Sequence, residues 1–254
     1  MLSFVGLGLY DSRSVTISGA ERIAAADAAF AEFYTSQLPG ASIADLEGAH
    51  GVSITRVDRT DVESDPAVIL EAAAAGPTVF LTAGDPMIAT THVDLRLRAI
   101  DAGIPTEVLH GISAQTAASS LTGLQNYKFG RAVTLPFPRD EAVPIPQSVH
   151  SAIDANTAAG LHTLVFLDID APGDRYLRAD VAAELLATAS PDRLGVIIAR
   201  AGSPDPLVRA GPLRSLAAGE YGAPLHMLVL PGELHHIEAE ALAVLGDYPD
   251  LLTR

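Results

Sequence analysis

The chain has 254 residues, enough for one large domain or two ordinary ones with a sizeable core. With 31 Asp+Glu against 16 Lys+Arg its formal net charge is −15, so the basic footprint of a nucleic-acid binder is missing. It has no cysteine, which excludes disulfides, thiolate metal sites and a cysteine nucleophile.

Lys128 is the only lysine; every other cationic side chain among the 16 is arginine. An acidic surface almost without lysine suits a salt-rich cytosol, where concentrated counter-ions screen self-repulsion. No stretch approaches the ~20 apolar residues of a membrane span. The opening MLSFVGLGLYDSR lacks a basic n-region and a cleavable apolar region, so it reads as a first strand rather than a signal peptide, and the expected location is the cytoplasm.

In chain order, apolar runs of strand length alternate with alanine-rich helical stretches. Strands are expected at 2–6, 28–34, 52–57, 78–82 and 106–110, then at 132–137, 164–169, 195–200 and 225–230. Several are continuous apolar runs, as in sheets covered on both faces. Between them, Ser18 and Glu21 have capping-box spacing for a helix ending near Asp27. Ser64-Asp65-Pro66 puts a capping side chain before a proline at the first helical position. The pattern over 91–102 places Val93, Leu97 and Ile100 on one stripe. A second stripe joins Leu234, Ile237, Ala241 and Leu245 over 233–245. The alternation argues for an α/β fold. The second half differs: its strands read as partly antiparallel, and prolines cluster at Pro136, Pro138, Pro144 and Pro146. A boundary just after His110 gives two α/β domains, 1–111 and 112–254.

Six segments have the make-up of binding loops. Phe4 to Asp11 is a strand entering a Gly6-x-Gly8 turn. It lacks the third glycine of a dinucleotide fingerprint, and no helix follows directly. Leu81 to His92 is a buried strand ending in Gly84-Asp85-Pro86, where Asp85 can accept from a ribose diol or an ammonium. His110 to Ser119 is a strand end followed by small residues opening a helix, whose free backbone N–H groups suit a carboxylate. Leu164 to Ile169, Arg200 to Ser203, and Pro224 to Met227 together with Pro231 to His236 complete the set. His235 and His236 are adjacent, and helix neighbours point about 100° apart, so they are poor co-ligands and no metal is expected. No Ser-His-Asp order, nucleophile elbow or Walker lysine is present.

The ordered set GLGLYD, AEFYTS (31–36), GDP-x-x-ATTH (84–92), YKFG (127–130), FLDI (166–169), RAGS (200–203) and PGELHHIEAE (231–240) resembles the diphthine synthase family, within the wider tetrapyrrole-methylase-like fold. The likeness runs from Met1 to about Glu240. It implies a homodimer of two α/β domains with S-adenosylmethionine in the cleft between them. It also implies methylation of translation elongation factor 2, on a histidine already carrying a 3-amino-3-carboxypropyl group, to give diphthine. Carried over by motif, the cofactor contacts are Leu9, Asp85, Ile88, Ser113, Ala114, Leu167, Ala201 and His226. The family often has proline before the serine, where this chain has Ile112.

The residues agree with that cofactor. It carries no phosphate, so glycine turns without lysine suffice, and an acidic protein does not repel a sulfonium. No side chain is assigned as general base; Asp11, His92 and His226 are considered. Glu32, Tyr34 and Tyr127 are considered for the substrate side. The competing readings are a tetrapyrrole or corrin methyltransferase, a non-catalytic nucleoside-sensing module, and a nicotinamide oxidoreductase. The first has Leu9 where a third glycine is needed, and the last has an incomplete glycine fingerprint.

Overall fold

The computed structural model describes residues 1–138, 145–171 and 173–253. They form two compact units, Met1–Ala114 and Gln115–Arg254. The first contains β1 (Leu2–Gly6), α1 (Ile17–Ala24), β2 (Ala28–Glu32), α2 (Ile43–His50), β3 (Ile54–Val57), α3 (Ala67–Ala75), β4 (Thr78–Thr82), α4 (Val93–Asp101) and β5 (Thr106–Leu109). Its five strands are all parallel, in the order β3-β2-β4-β1-β5. Successive residues point to opposite faces, and both faces are apolar. Phe4, Phe30 and Phe80 join one core; Val5, Ala31, Val79 and Leu81 join the other. That two-sided burial is why these strands read as unbroken apolar runs.

In order along the second stretch come α5 (Ala114–Thr122), β6 (Val133–Leu135), α6 (Gln147–Ala158), β7 (Thr163–Leu167), β8 (Ile169–Asp170), β9 (Arg175–Tyr176) and α7 (Ala179–Ala187). They are followed by β10 (Leu194–Ala199), β11 (Leu207–Pro212), α8 (Leu213–Leu216), β12 (His226–Leu230) and α9 (His236–Leu245). The second sheet runs β11-β10-β12-β7-β6, antiparallel except for the β6–β7 pair. Val165, Ile197, Leu228 and the α7 alanines Ala182 and Ala183 lie in its core.

Several local expectations are corrected. Thr16, not Ser18, caps α1, its side chain accepting from Gly19 N–H. α3 starts after Pro66 without a side-chain cap, because Thr60–Ser64 is wound into its own π-helical turn. The strand expected at 164–169 breaks at Asp168, whose carboxylate accepts from Phe137 and Ile169 N–H groups. On α4 the buried residues are Leu95 and Ala99, while Val93, Leu97 and Ile100 are 54%, 54% and 49% exposed. On α9 the buried residues are Glu238, Leu242 and Ala243, and Ile237 and Leu245 are exposed. Pro144 of the proline cluster lies outside the described residues.

Candidate functional site

In the first unit the chain leaves β1, β4 and β5, three neighbouring parallel strands, at one edge of the sheet. Carboxyl ends of strands are where open α/β sheets hold ligands. The three exits touch. Gly8 and Gly84 form an antiparallel bridge, with Gly84 N–H donating to Gly8 C=O at 2.6 Å. Both have positive φ, +75° and +76°, which glycine adopts at no steric cost. A Cβ on Gly6 would stand 2.5 Å from the Gly84 oxygen and 2.6 Å from the Gly111 nitrogen, so this junction admits no side chain. Leu9, Asp85, Ile88, Ser113 and Ala114 hang from these exits. Leu9 and Ala114 are half-buried, Ser113 is buried and Ile88 is exposed.

Asp85 is the charged group of this edge and is only 6% exposed. Its Oδ1 accepts from Met87 N–H at 2.9 Å and its Oδ2 is 2.8 Å from His110 Nδ1. A carboxylate offers about four acceptor positions, so two remain for a hydroxyl pair or an ammonium. His110, unassigned by sequence, is found only through this contact; its side chain is largely exposed.

The loop behind Asp85 coils around one carbonyl. Pro86 C=O accepts from Thr90 Oγ1 at 2.9 Å and stands 3.1 Å from His92 Nδ1. Ala89 has φ +57°, an uncommon conformation for a residue with a side chain. His92 is fully buried, edge-on to Phe80, with Nε2 3.4 Å from Glu32 Oε1. Burial lowers its pKa, with the Glu32 charge working against that. Glu32 is fully buried too. It accepts from Tyr34 and Thr35 N–H, both at 3.0 Å, and from the Thr35 and Thr82 hydroxyls. It therefore does not line a substrate surface, and Tyr127, on the 3-10 turn Asn126–Lys128, is 81% exposed.

In the second unit, register places the other candidates side by side. Met227 pairs with Phe166 and His226 with Ala199, so Leu167, His226 and the residues following Ala199 share one end of β7, β12 and β10. Leu167 and His226 are buried and Ala201 is half-buried. Both imidazole nitrogens of His226 are used. Nδ1 accepts from Ala179 N–H at 3.2 Å, and Nε2 donates to Ala223 C=O at 3.0 Å. Burial lowers its pKa, and the ring is held as one neutral tautomer. Both its nitrogens are thus occupied, and His92 is fully buried. The Asp11 carboxylate accepts from Arg13 N–H at 3.0 Å.

The YKFG and PGELHHIEAE motifs meet at Glu238. This buried carboxylate is 2.7 Å from Lys128 Nζ and 3.0 Å from His162 Nε2, and it accepts from Gln125 and His235 N–H groups. His235 and Glu238 form the capping box of α9. Among the described residues no cluster of three or more His, Asp or Glu side chains is placed to hold a metal ion.

Residues 1–217 match the family model described as Tetrapyrrole (Corrin/Porphyrin) Methylases. A diphthine synthase of Haloquadratum walsbyi is 59% identical over 250 residues, covering 98% of this chain and 96% of its own. One from Halobacterium salinarum is 58% identical over 256 residues, covering 98% of both. A crystal structure of a diphthine synthase superposes with a TM-score of 0.89 at 36% identity, over 97% of this chain and 96% of that one.

Proposed function

From the premise that this chain belongs to the tetrapyrrole methylase family, among its diphthine synthases, we propose that it transfers methyl groups from S-adenosylmethionine to the modified histidine of elongation factor 2. The acceptor is the amino group of the 3-amino-3-carboxypropyl adduct, and the product is diphthine. The observation that carries this reading is the glycine-only junction of three strand ends around a nearly buried Asp85 with spare acceptor positions. That cradle fits an adenosine without phosphate: backbone can approach closely, and a carboxylate rather than a lysine stands beside it.

Asp85 is assigned to the ribose hydroxyls or the ammonium, Leu9 and Ile88 to apolar contact, and Ser113-Ala114 to hydrogen bonding. Leu167, Ala201 and the backbone of His226 are assigned to the adenine. When bound, the cofactor supplies a methyl group already activated on a sulfonium. The chain's residues orient the partners and exclude water, which is where most of the rate of such a transfer arises. No side chain is assigned the amine's proton, which solvent accepts. Tetrapyrrole and corrin methylation are disfavoured by relatives at 58% and 59% identity that are diphthine synthases.

Two further assignments belong to this reading. The chain works in the cytoplasm, where its protein substrate is; no helix among the described residues is long and apolar enough to cross a membrane. It acts as a homodimer, and the exposed Val93, Leu97 and Ile100 stripe of α4 is an apolar face for a second copy to cover. The test uses methyl-labelled S-adenosylmethionine, elongation factor 2 carrying the unmethylated adduct, and molar salt. Label on the factor supports the reading. Cofactor binding with no transfer to the factor contradicts it and favours a sensor.

A further inference from the structure

His92 and Glu32 sit 60 residues apart in two of the motifs, are both fully buried, and touch no candidate ligand surface. His92 touches the loop that carries Asp85 and Ile88. His92 Nδ1 faces the Pro86 carbonyl at 3.1 Å. A carbonyl only accepts, so that nitrogen carries the proton and donates. The opposite ring nitrogen stands 3.4 Å from Glu32 Oε1 and makes no hydrogen bond, while Glu32 is held at the ends of β2 and β4 by Tyr34, Thr35 and Thr82. The Thr90 hydroxyl donates to the same Pro86 oxygen at 2.9 Å. The next threonine, Thr91, donates to Glu63 at 2.8 Å. Thr90 and His92 thus both fasten one turn of backbone, in which Ala89 stands in a left-handed conformation uncommon for a residue with a side chain.

We propose that His92 is a positioning residue for the cofactor: by holding the Pro86 carbonyl it sets the place of Asp85 and Ile88, and so governs cofactor affinity rather than the transfer step. This rests on the reading that Asp85 and Ile88 bind S-adenosylmethionine. The geometry separates two amide replacements. An asparagine amide reaches as far as Nδ1 and restores the donor to Pro86. A glutamine amide reaches as far as Nε2, meets Glu32 and leaves Pro86 with Thr90 alone.

The experiment titrates S-adenosylhomocysteine into wild type, His92→Asn, His92→Gln and Thr90→Val at high salt, and measures kcat at saturating cofactor. For His92→Gln the dissociation constant is expected to rise about tenfold, the size of one lost buried hydrogen bond, with kcat at saturation kept. His92→Asn is expected within about threefold of wild type on the same scale. Thr90→Val, at a half-buried position, removes the second donor and is expected to weaken binding in the same direction. If His92→Gln does not fold, Thr90→Val decides: weaker binding supports the proposal, and unchanged binding overturns it. Wild-type affinity in His92→Gln, equal losses in the Asn and Gln variants, or a fall in kcat with binding unchanged each overturn it. A wild-type protein that does not bind S-adenosylhomocysteine sinks the function itself, a separate outcome.

Discussion

Asp85 is the side chain on which most of the proposed binding turns. It is held in place by Met87 N–H and His110 without being used up by them. Asp85→Asn keeps the shape and an acceptor for Met87 but loses the charge. Hydrogen bonds to charged groups contribute about 1.5–3 kcal/mol, so S-adenosylhomocysteine affinity should fall roughly ten- to a hundredfold, read by calorimetric titration. An Asp85→Asn protein that binds as wild type removes Asp85 from the site. The position of Asp85 was legible as a carboxylate after a buried strand. The role of His92 was not, because nothing in a linear sequence says that residue 92 packs against residue 32. Glu32 and His92 read in the sequence as candidates for the substrate surface and for base chemistry, but both are fully buried and His92 faces a loop carbonyl.

Glu238 fastens one element to another: the N-terminus of α9 to the turn bearing Lys128 and to His162. Burial alone raises its carboxyl pKa, but hydrogen bonds from Lys128, from the Gln125 and His235 N–H groups and from His162 overcome that and hold it at about 2, against 4.5 in a free chain. A carboxyl depressed in the folded state adds stability that is complete above the unfolded value and is lost as pH falls through the folded one. The Glu238 contribution is therefore full above about pH 4.5 and disappears toward about pH 2. It is on the order of 3 kcal/mol. Glu238→Gln should unfold at lower denaturant at pH 7 and lack this share of the acid-dependent slope, measured by urea titrations between pH 7 and 3. Equal slopes in the two proteins contradict the assignment. At this scale the strands were legible because their apolar runs are buried on both sides. The helix faces were not. Periodicity finds a stripe on α4, yet Leu95 and Ala99 face the core while the more conspicuous Val93, Leu97 and Ile100 do not. A pattern fixes which residues share a face, and packing decides which face is covered. In α9 the His235 and Glu238 pair is a capping box.

For the whole molecule, net charge and surface set the terms of association. A net charge of −15 repels a second copy at low salt, and a Debye length of about 3 Å at 1 M salt removes most of that repulsion. A homodimer then depends on apolar contact. Leu97→Glu, in the middle of the exposed α4 stripe, should convert dimer to monomer by light scattering in molar KCl with the melting temperature of each unit little changed; a variant that stays dimeric places the interface elsewhere. The division of labour between the motifs follows the same logic. In the first unit glycines and one aspartate form the strand-end cradle, with His92 and Thr90 holding the loop behind Asp85, while in the second unit Glu238 ties the start of α9 to Lys128 and His162. The measurement that bears most directly on this account is a crystal structure with S-adenosylhomocysteine. Density is expected against the Gly6, Gly84 and Gly111 junction, with a ligand hydroxyl or ammonium within hydrogen-bond reach of Asp85. Density at a different place on the chain, with Asp85 still bound only to Met87 and His110, contradicts it.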